Sequence, residues 1–322
     1  MQELDSKKQA NDFDDEIDLK ELFFILVQGK WIIACVTAFF SIAGIIYSLY
    51  LPNIYESEAM LAPVDKSSSL ISGALNQYSG LAGLAGIELP SGESDSNSEK
   101  AIEVMKSLSF FEKNILPKIF LPDLMAAKSW DKKNNTIIYD NSIFQKNSNT
   151  WIVDSSDPKK SIPSAQKSFE EFKSCHFSMQ KNNKTGYVIL SIKHLSPTIA
   201  KQWVEIFVDE INAFYRQKDK AHSEKAVVYL NKQMVANSFS EIRQATASLL
   251  EKEIQKLTLI EANKDYVFEY IYPPSIMEDK SEPIRSLIIF LSFLLGMMLG
   301  IIVVLFRHYF PKDKSASERI SN

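Results

Sequence analysis

Gly80, Gly83 and Gly86 stand at three-residue spacing in "SGLAGLAGIELPSGES", the stretch of this 322-residue chain that most resembles a phosphate cradle. Backbone N–H groups of a glycine-rich loop can surround a phosphate, but the chemistry needs more than glycine. A P-loop requires Lys and Ser/Thr directly after its last Gly; the Gly-Lys pair here, Gly29-Lys30, is followed by Trp31. A dinucleotide fold requires a buried strand before the glycines, a helix start after them and an acidic ribose ligand. "GLAGLAG" leads instead into "IELPSGES". Nucleotide binding is not expected. The four histidines, His176, His194, His222 and His308, share no ligand spacing, so no metal site is expected either. Glu170 and Glu171 are adjacent on a predicted helix and point apart, which rules out a paired-carboxylate reading. No nucleophile motif is present. The residues therefore give no catalytic, metal or cofactor site, and the reading is of a non-enzyme.

The elements that carry these residues explain more. Trp31 to Leu51 ("WIIACVTAFFSIAGIIYSLYL") is an uncharged run of 21 residues, and Leu287 to Phe306 ("LIIFLSFLLGMMLGIIVVLF") one of 20. At 1.5 Å per residue, about 20 apolar residues cross a hydrocarbon core of about 30 Å. A cleaved signal would have a basic lead and a shorter apolar core. The lead here, "DFDDEIDLKE", is acidic, so the first run is an anchor. Lys20 and Lys30 precede span one, and Arg307, Lys312 and Lys314 follow span two, while Pro52 to Asp65 has no basic residue. The flanking charges put tails 1–30 and 307–322 in the cytoplasm and residues 52–286 outside. Gly296 and Gly300, with Gly44 and Ser48 at the same spacing in span one, are small residues that permit close packing of membrane helices.

The outer segment holds 28 Lys and Arg against 30 Asp and Glu, and no basic block that would bind nucleic acid. Its one cysteine, Cys175, cannot pair with Cys35 inside the first span and is read as buried. The order of patterns predicts an α+β domain. A strand runs from Ile54 to Leu61. A mobile loop holding Gly80, Gly83 and Gly86 is expected over Ser67 to Ser98, and a capped helix begins near Ser96, with Ile102, Met105 and Leu108 on one face, and stops before Pro117. A second helix covers Ser164 to Cys175. A hairpin comes next, with strands at His176–Gln180 and Tyr187–Leu195 around Asn-Asn-Lys-Thr-Gly, and the last strand is Tyr266–Tyr272.

Ser196-Pro197 opens a helix, and no glycine or proline occurs from Thr198 through Tyr272. Helix formers extend over about 197–263, about 65 residues and roughly 100 Å if unbroken. A break within the polar run Arg216 to Lys225, giving two packed helices, is the alternative. Phe207, Phe214, Ala221, Val228, Val235, Ile242 and Leu249 recur every seventh residue, a narrow stripe suited to contact with another helix. Glu210, Gln217, Glu224 and Asn231 occupy the companion positions, so a two-stranded zipper is excluded.

Taken in order, "DDEIDLKELFFILVQGKWII", "LPNIYESEAMLAP", "GLAGLAGI", "SEKAIEVMKSLSFFEK", "PSAQKSFEEFKS", "LSPTIAKQWVEIFVDEIN", "EKAVVYLNKQM" and "YPPSIMEDKSEPIRSL" resemble the Wzz-type chain-length determinants, or polysaccharide co-polymerases, of Gram-negative inner membranes. The resemblance implies two transmembrane helices flanking a periplasmic domain with a small mixed sheet at its base and a very long helix. It implies a ring-like homo-oligomer that sets the modal length of O-antigen or a similar polysaccharide. The partners it implies are a separate membrane polymerase and the growing glycan, with no cofactor and no catalytic residue. The family's spaced prolines before span two are represented only by Pro273, Pro274 and Pro283. The capsule branch, which works with a tyrosine kinase, is the second reading. The chain runs 16 residues past Phe306 with no kinase and one tyrosine, Tyr309, which favours the O-antigen type. A membrane sensor is the third. Whether Gly80, Gly83 and Gly86 belong to an ordered segment is open.

Overall fold

The computed structural model describes residues 19–64, 93–152, 162–236 and 238–309. They divide into two units, one of residues up to Leu51 together with those from Pro283 onward, the other spanning Pro52–Glu282. The first consists of α1 (Leu19–Gln28), α2 (Lys30–Tyr50) and α9 (Arg285–Tyr309). The second is an α+β unit whose sheet and helices are built in chain order below.

Alternation in "YESEAMLAP" makes β1 (Tyr55–Pro63), with Tyr55, Ser57, Ala59 and Leu61 buried and the residues between them half-exposed. A period of two gives a strand one core face and one outer face. α3 (Glu93–Met105) and α4 (Leu108–Phe110, continued by a π-helical turn Phe111–Ile115) follow, then α5 (Leu121–Met125). Two small hairpins come next, β2 (Ala127–Asp131) with β3 (Thr136–Tyr139) and β4 (Phe144–Gln145) with β5 (Thr150–Trp151). α6 (Ala165–Glu171) ends in a second π-helical turn, Phe172–His176, and opens onto the hairpin β6 (Phe177–Lys181) and β7 (Val188–His194). Gly186 lies at φ +73 in that turn, a left-handed conformation that glycine adopts without a Cβ clash. β8 (Phe268–Tyr272) completes an antiparallel sheet in the order β6-β7-β1-β8.

Across this sheet runs the first half of α7 (Pro197–Ala236). Ala200, Trp203, Val204, Phe207, Val208, Ile211, Asn212 and Tyr215 are buried at spacings of three and four, the stripe by which a helix faces a core. They meet Leu61, Val188, Leu190, Ile192 and Phe268 from the strands, with Phe110, Phe111 and Phe172 closing the side. The Phe172 and Phe207 rings stack at 5.2 Å, and Phe172 tilts against Trp203 at 5.9 Å.

Past Tyr215 the helix leaves the sheet, and here the structure corrects the sequence reading. The helix expected over about 197–263 is two: α7 ends at Ala236 and α8 (Ser240–Ala262) runs back along it. The pairing is antiparallel, since Lys220 is bonded to Glu261 and Arg216 donates to the Lys264 carbonyl at 3.3 Å. Phe239 sits in extended backbone, φ -77 and ψ 127, at the head of α8. Absence of Gly and Pro permits a long helix but does not hold one out in solvent; packing does that, and folding back supplies it. The polar run Arg216–Lys225, where a break was the alternative, is continuous helix. Its charges hold the returning chain.

Three smaller corrections follow. The helix expected to run unbroken to residue 116 is interrupted after Met105, because the Ser107 hydroxyl accepts from Phe110 N–H and starts a new turn. Leu108 is therefore partly exposed, while Ile102 and Met105 are buried. Cys175 is exposed, not buried. It lies in the π-helical turn, where Phe172 takes the inward position.

Candidate functional site

No catalytic constellation assembles among the described residues, and no group of three metal-capable side chains occurs there. The two inner histidines are occupied structurally. His194 Nδ1 accepts from Ser196 N–H at 3.0 Å, which leaves Nε2 to donate to the Asp123 carbonyl at 3.0 Å. Burial pushes its pKa down to about 4 from an ordinary 6.5. His176 donates from Nδ1 to the Lys193 carbonyl at 2.6 Å, and burial lowers it too. Asp123 is raised by burial, against the opposing hydrogen bond from Tyr139 at 2.6 Å. These groups anchor the small β2–β5 hairpins and the start of α7. They are not poised at an open cleft.

What remains are contact surfaces. In the first unit, Gly44, Ser48, Gly296 and Gly300 are all buried. A Cβ on Gly300 would lie 3.0 Å from Ile33 Cα; one on Gly296 would lie 3.0 Å from Thr37 Cα. A Cβ on Gly29 would run into the Val304 side chain. Rising numbers on α2 thus meet falling numbers on α9, so the helices are antiparallel and approach backbone to backbone. α2 and α9, of 21 and 25 residues, are long and apolar enough to cross a membrane.

The seven-residue stripe does not stay together. Phe207 is a core residue and Phe214 packs against that core, so the fold consumes both. Val228 and Val235 stand 70% and 89% exposed on the distal half of α7, whereas Ile242 and Leu249 are exposed on α8. Tyr229, Phe239 and Ile254 are exposed beside them. The heptad frame missed these three because it assumed a single straight helix. Their signal was a cluster of large apolar residues in a segment otherwise too polar for a core.

Pro273 and Pro274 end β8, where the missing N–H stops the ladder. The chain after them is tied back to the start of β1. Ser57 Oγ donates to the Ser275 carbonyl at 2.8 Å, Ile54 N–H to the Glu282 carbonyl at 2.9 Å, and Ser281 Oγ to Glu56 at 2.9 Å. Lys193 bonds Glu282 at 2.5 Å, a contact that holds its pKa above the usual lysine value. The entry and exit of the α+β unit, with Pro283 next in sequence, therefore lie side by side. Gly80, Gly83 and Gly86 lie outside the described residues.

The sequence model of the Wzz family, described as chain length determinant protein, matches residues 15–115. That stretch carries a Wzz signature. It includes α1, α2, β1 and α3, so the resemblance read from the sequence holds across the first apolar helix and the first strand of the sheet. No curated protein matches the chain. Among solved structures, it is similar to a full-length bacterial polysaccharide co-polymerase at 13% identity and TM-score 0.41, over 92% of this chain and all of that one. A fragment of WzzB, the polysaccharide co-polymerase of Salmonella Typhimurium, aligns with 71% of this chain and all of its own at 11% identity, TM-score 0.31. The Shigella flexneri lipopolysaccharide O-antigen chain-length regulator does so at 12% identity and TM-score 0.26, with the same coverage. At such low scores the Wzz-like character rests on residues 15–115.

Proposed function

We propose that this protein is a polysaccharide co-polymerase of the bacterial inner membrane that regulates the modal chain length of lipopolysaccharide O-antigen or a similar surface polysaccharide. The match of residues 15–115 to the chain-length determinant family carries the reading. In this proposal α2 and α9 cross the membrane, both tails are cytoplasmic and residues 52–286 are periplasmic. The antiparallel pairing of the two apolar helices supports this reading, since two such spans would leave both tails on one side, in agreement with the basic flanks. The protein acts as a homo-oligomeric scaffold beside a separate polymerase and the growing glycan, without catalysis of its own.

Oligomerisation is supported by the α7–α8 hairpin. Val228, Tyr229, Val235 and Phe239 are 61% to 89% exposed, a density of large apolar side chains that a soluble monomer rarely leaves in water. A second copy presenting the same hairpin would cover them, forming a ring if the contact closes. The deciding experiment is deletion of the gene and complementation, read as the lipopolysaccharide ladder on a gel. Loss of the modal band cluster on deletion and its return on complementation are expected. An unchanged ladder with glycan still made would overturn the length-control reading, and a change confined to capsule would move the function to the capsule branch.

A further inference from the structure

His194 sits where the end of β7, the start of α7 and α5 meet, and its surroundings fix one protonation state. A backbone N–H can only donate, so Ser196 N–H at 3.0 Å needs a bare lone pair on Nδ1. A carbonyl can only accept, so the Asp123 oxygen at 3.0 Å needs the proton on Nε2. The neutral ring satisfies both. A second proton, on Nδ1, sets donor against donor and puts a charge on a residue that is 1% exposed.

The groups around it do not offset that charge. α7 presents the Trp203 ring edge-on at 4.9 Å, and the His176 ring lies 5.8 Å away, where a proton adds a like charge. Burial disfavours a charge on His176 too, but protonation there breaks no bond. Its Nδ1 already donates to the Lys193 carbonyl, and the Glu171 carboxylate favours the charged ring. The Lys193 ammonium is turned to Glu56 and Glu282. The Asp123 carboxyl accepts from Tyr139, with Lys146 acting on it. Burial makes that carboxyl take up a proton more readily in the folded chain, which works against opening by acid. The bonds that acid breaks are therefore the two made by His194.

Beyond those bonds lies a lobe with a cluster of its own. In α5 and the hairpins β2–β3 and β4–β5, Phe144 meets Phe120 at 6.0 Å, Tyr139 at 5.5 Å and Trp151 at 5.3 Å. The lobe meets the rest at Leu124, along α6, at the Tyr55–Trp130 ring pair and where Thr198 donates to Asn135 at 3.5 Å. α5 has five residues, too few to hold as a helix once its packing is lost.

We propose that this junction is an acid-released clasp: protonation of His194 frees α5 and the β2–β5 lobe from the start of α7 while the four-stranded sheet stays closed. The clasp is shut above about pH 6.5 and weakens as pH falls towards 4, because the closed form holds the proton less tightly than the open one. The test is amide hydrogen exchange on the full-length protein in mild detergent at pH 7 and pH 5, corrected for the intrinsic pH dependence of exchange. With an ordinary pKa of 6.5 when open and about 4 when closed, opening at the Asp123 and Ala126 amides should be about twenty-fold more frequent at pH 5. The amides of Ala59 and Leu61, in the middle of the sheet, should keep their protection. His194→Gln, whose amide offers an acceptor and a donor but does not titrate, should remove the rise, and His176→Gln should keep it.

No rise at Asp123 and Ala126 in the wild type, or an equal rise at Ala59 and Leu61, would overturn the clasp even if neither variant folds. A rise that survives His194→Gln, or one that is lost in His176→Gln, would take the trigger away from His194 and overturn it as well.

Discussion

The two halves of α7 share one helix and have opposite environments. From Pro197 to Tyr215 nine residues are buried, most of them against the sheet and its flanking aromatics; from Arg216 to Ala236 only Ser223 is buried. The first half is held by apolar area, the second by polar bonds to the chain that returns beside it. Tyr266 donates to Asp219 at 2.6 Å, and burial with that bond raises the tyrosine pKa. Asn212 stands at the boundary. Its Oδ1 accepts from the N–H groups of Val267 and Phe268 at 2.8 and 3.0 Å, and Nδ2 donates to the Phe268 carbonyl at 2.9 Å. One buried amide thus fixes where the hairpin closes and where β8 joins the sheet. Burial builds the base, and what lies beyond it is left to make contacts.

That contrast is easiest to break in the proximal half. Phe207→Ala should cost about 3–5 kcal/mol, the usual range for removing a buried ring, measured as a lowered urea midpoint of the detergent-solubilised chain. A loss no larger than a surface change would show that the α7–sheet contact is not the core. Acid should act on the same half. Between an ordinary pKa of 6.5 and a folded value of about 4, the unfolded chain holds a proton on His194 that the folded chain does not. Stability from this group is therefore complete above about pH 6.5 and falls by roughly 3 kcal/mol as pH drops to 4. His194→Gln should flatten that dependence, followed by circular dichroism against pH; a profile with unchanged slope would remove His194 as its source.

At the boundary, Asn212→Ala should cost about 2 kcal/mol by leaving buried N–H groups without an acceptor. It should also speed hydrogen exchange at Val267 and Phe268 more than at residues 188–192. Uniform acceleration across the sheet would argue against a local latch. The smallest effect on stability belongs to the distal half. Val235→Asp should shift the unfolding midpoint by less than about 0.5 kcal/mol, yet weaken cross-linked oligomers. Intact oligomers would remove the reason for placing that face at a subunit contact.

Half of the eight strands among the described residues, the four of the main sheet, were legible because their signals are local. The β6–β7 hairpin is written in two alternating runs around an Asn-Asn-Lys-Thr-Gly turn, and the structure shifts its ends by one residue. The hairpins β2–β3 and β4–β5 were not legible. β4 and β5 are two residues long, too short for a periodicity, and β2 (AKSWD) and β3 (TIIY) do not alternate apolar with polar. They are held by Phe144, whose ring meets Tyr139 at 5.5 Å and Trp151 at 5.3 Å. The heptad stripe was real as a spacing but misleading as a surface. Phe207 and Val235 occupy equivalent positions in the repeat, and only the place where the sheet ends separates them.

Read alone, the residues determined the two apolar helices, the alternating strands and the helix start at Ser196-Pro197, because hydrophobic run length, period and capping act within a few residues. Tertiary structure decided the return of α8 along α7, the exposure of Cys175 and the division of the stripe into core and surface. Each of those depends on which distant segment arrives to cover a face. A long helix is only as persistent as the packing along it, and packing is a property of pairs of segments that no single window of sequence contains.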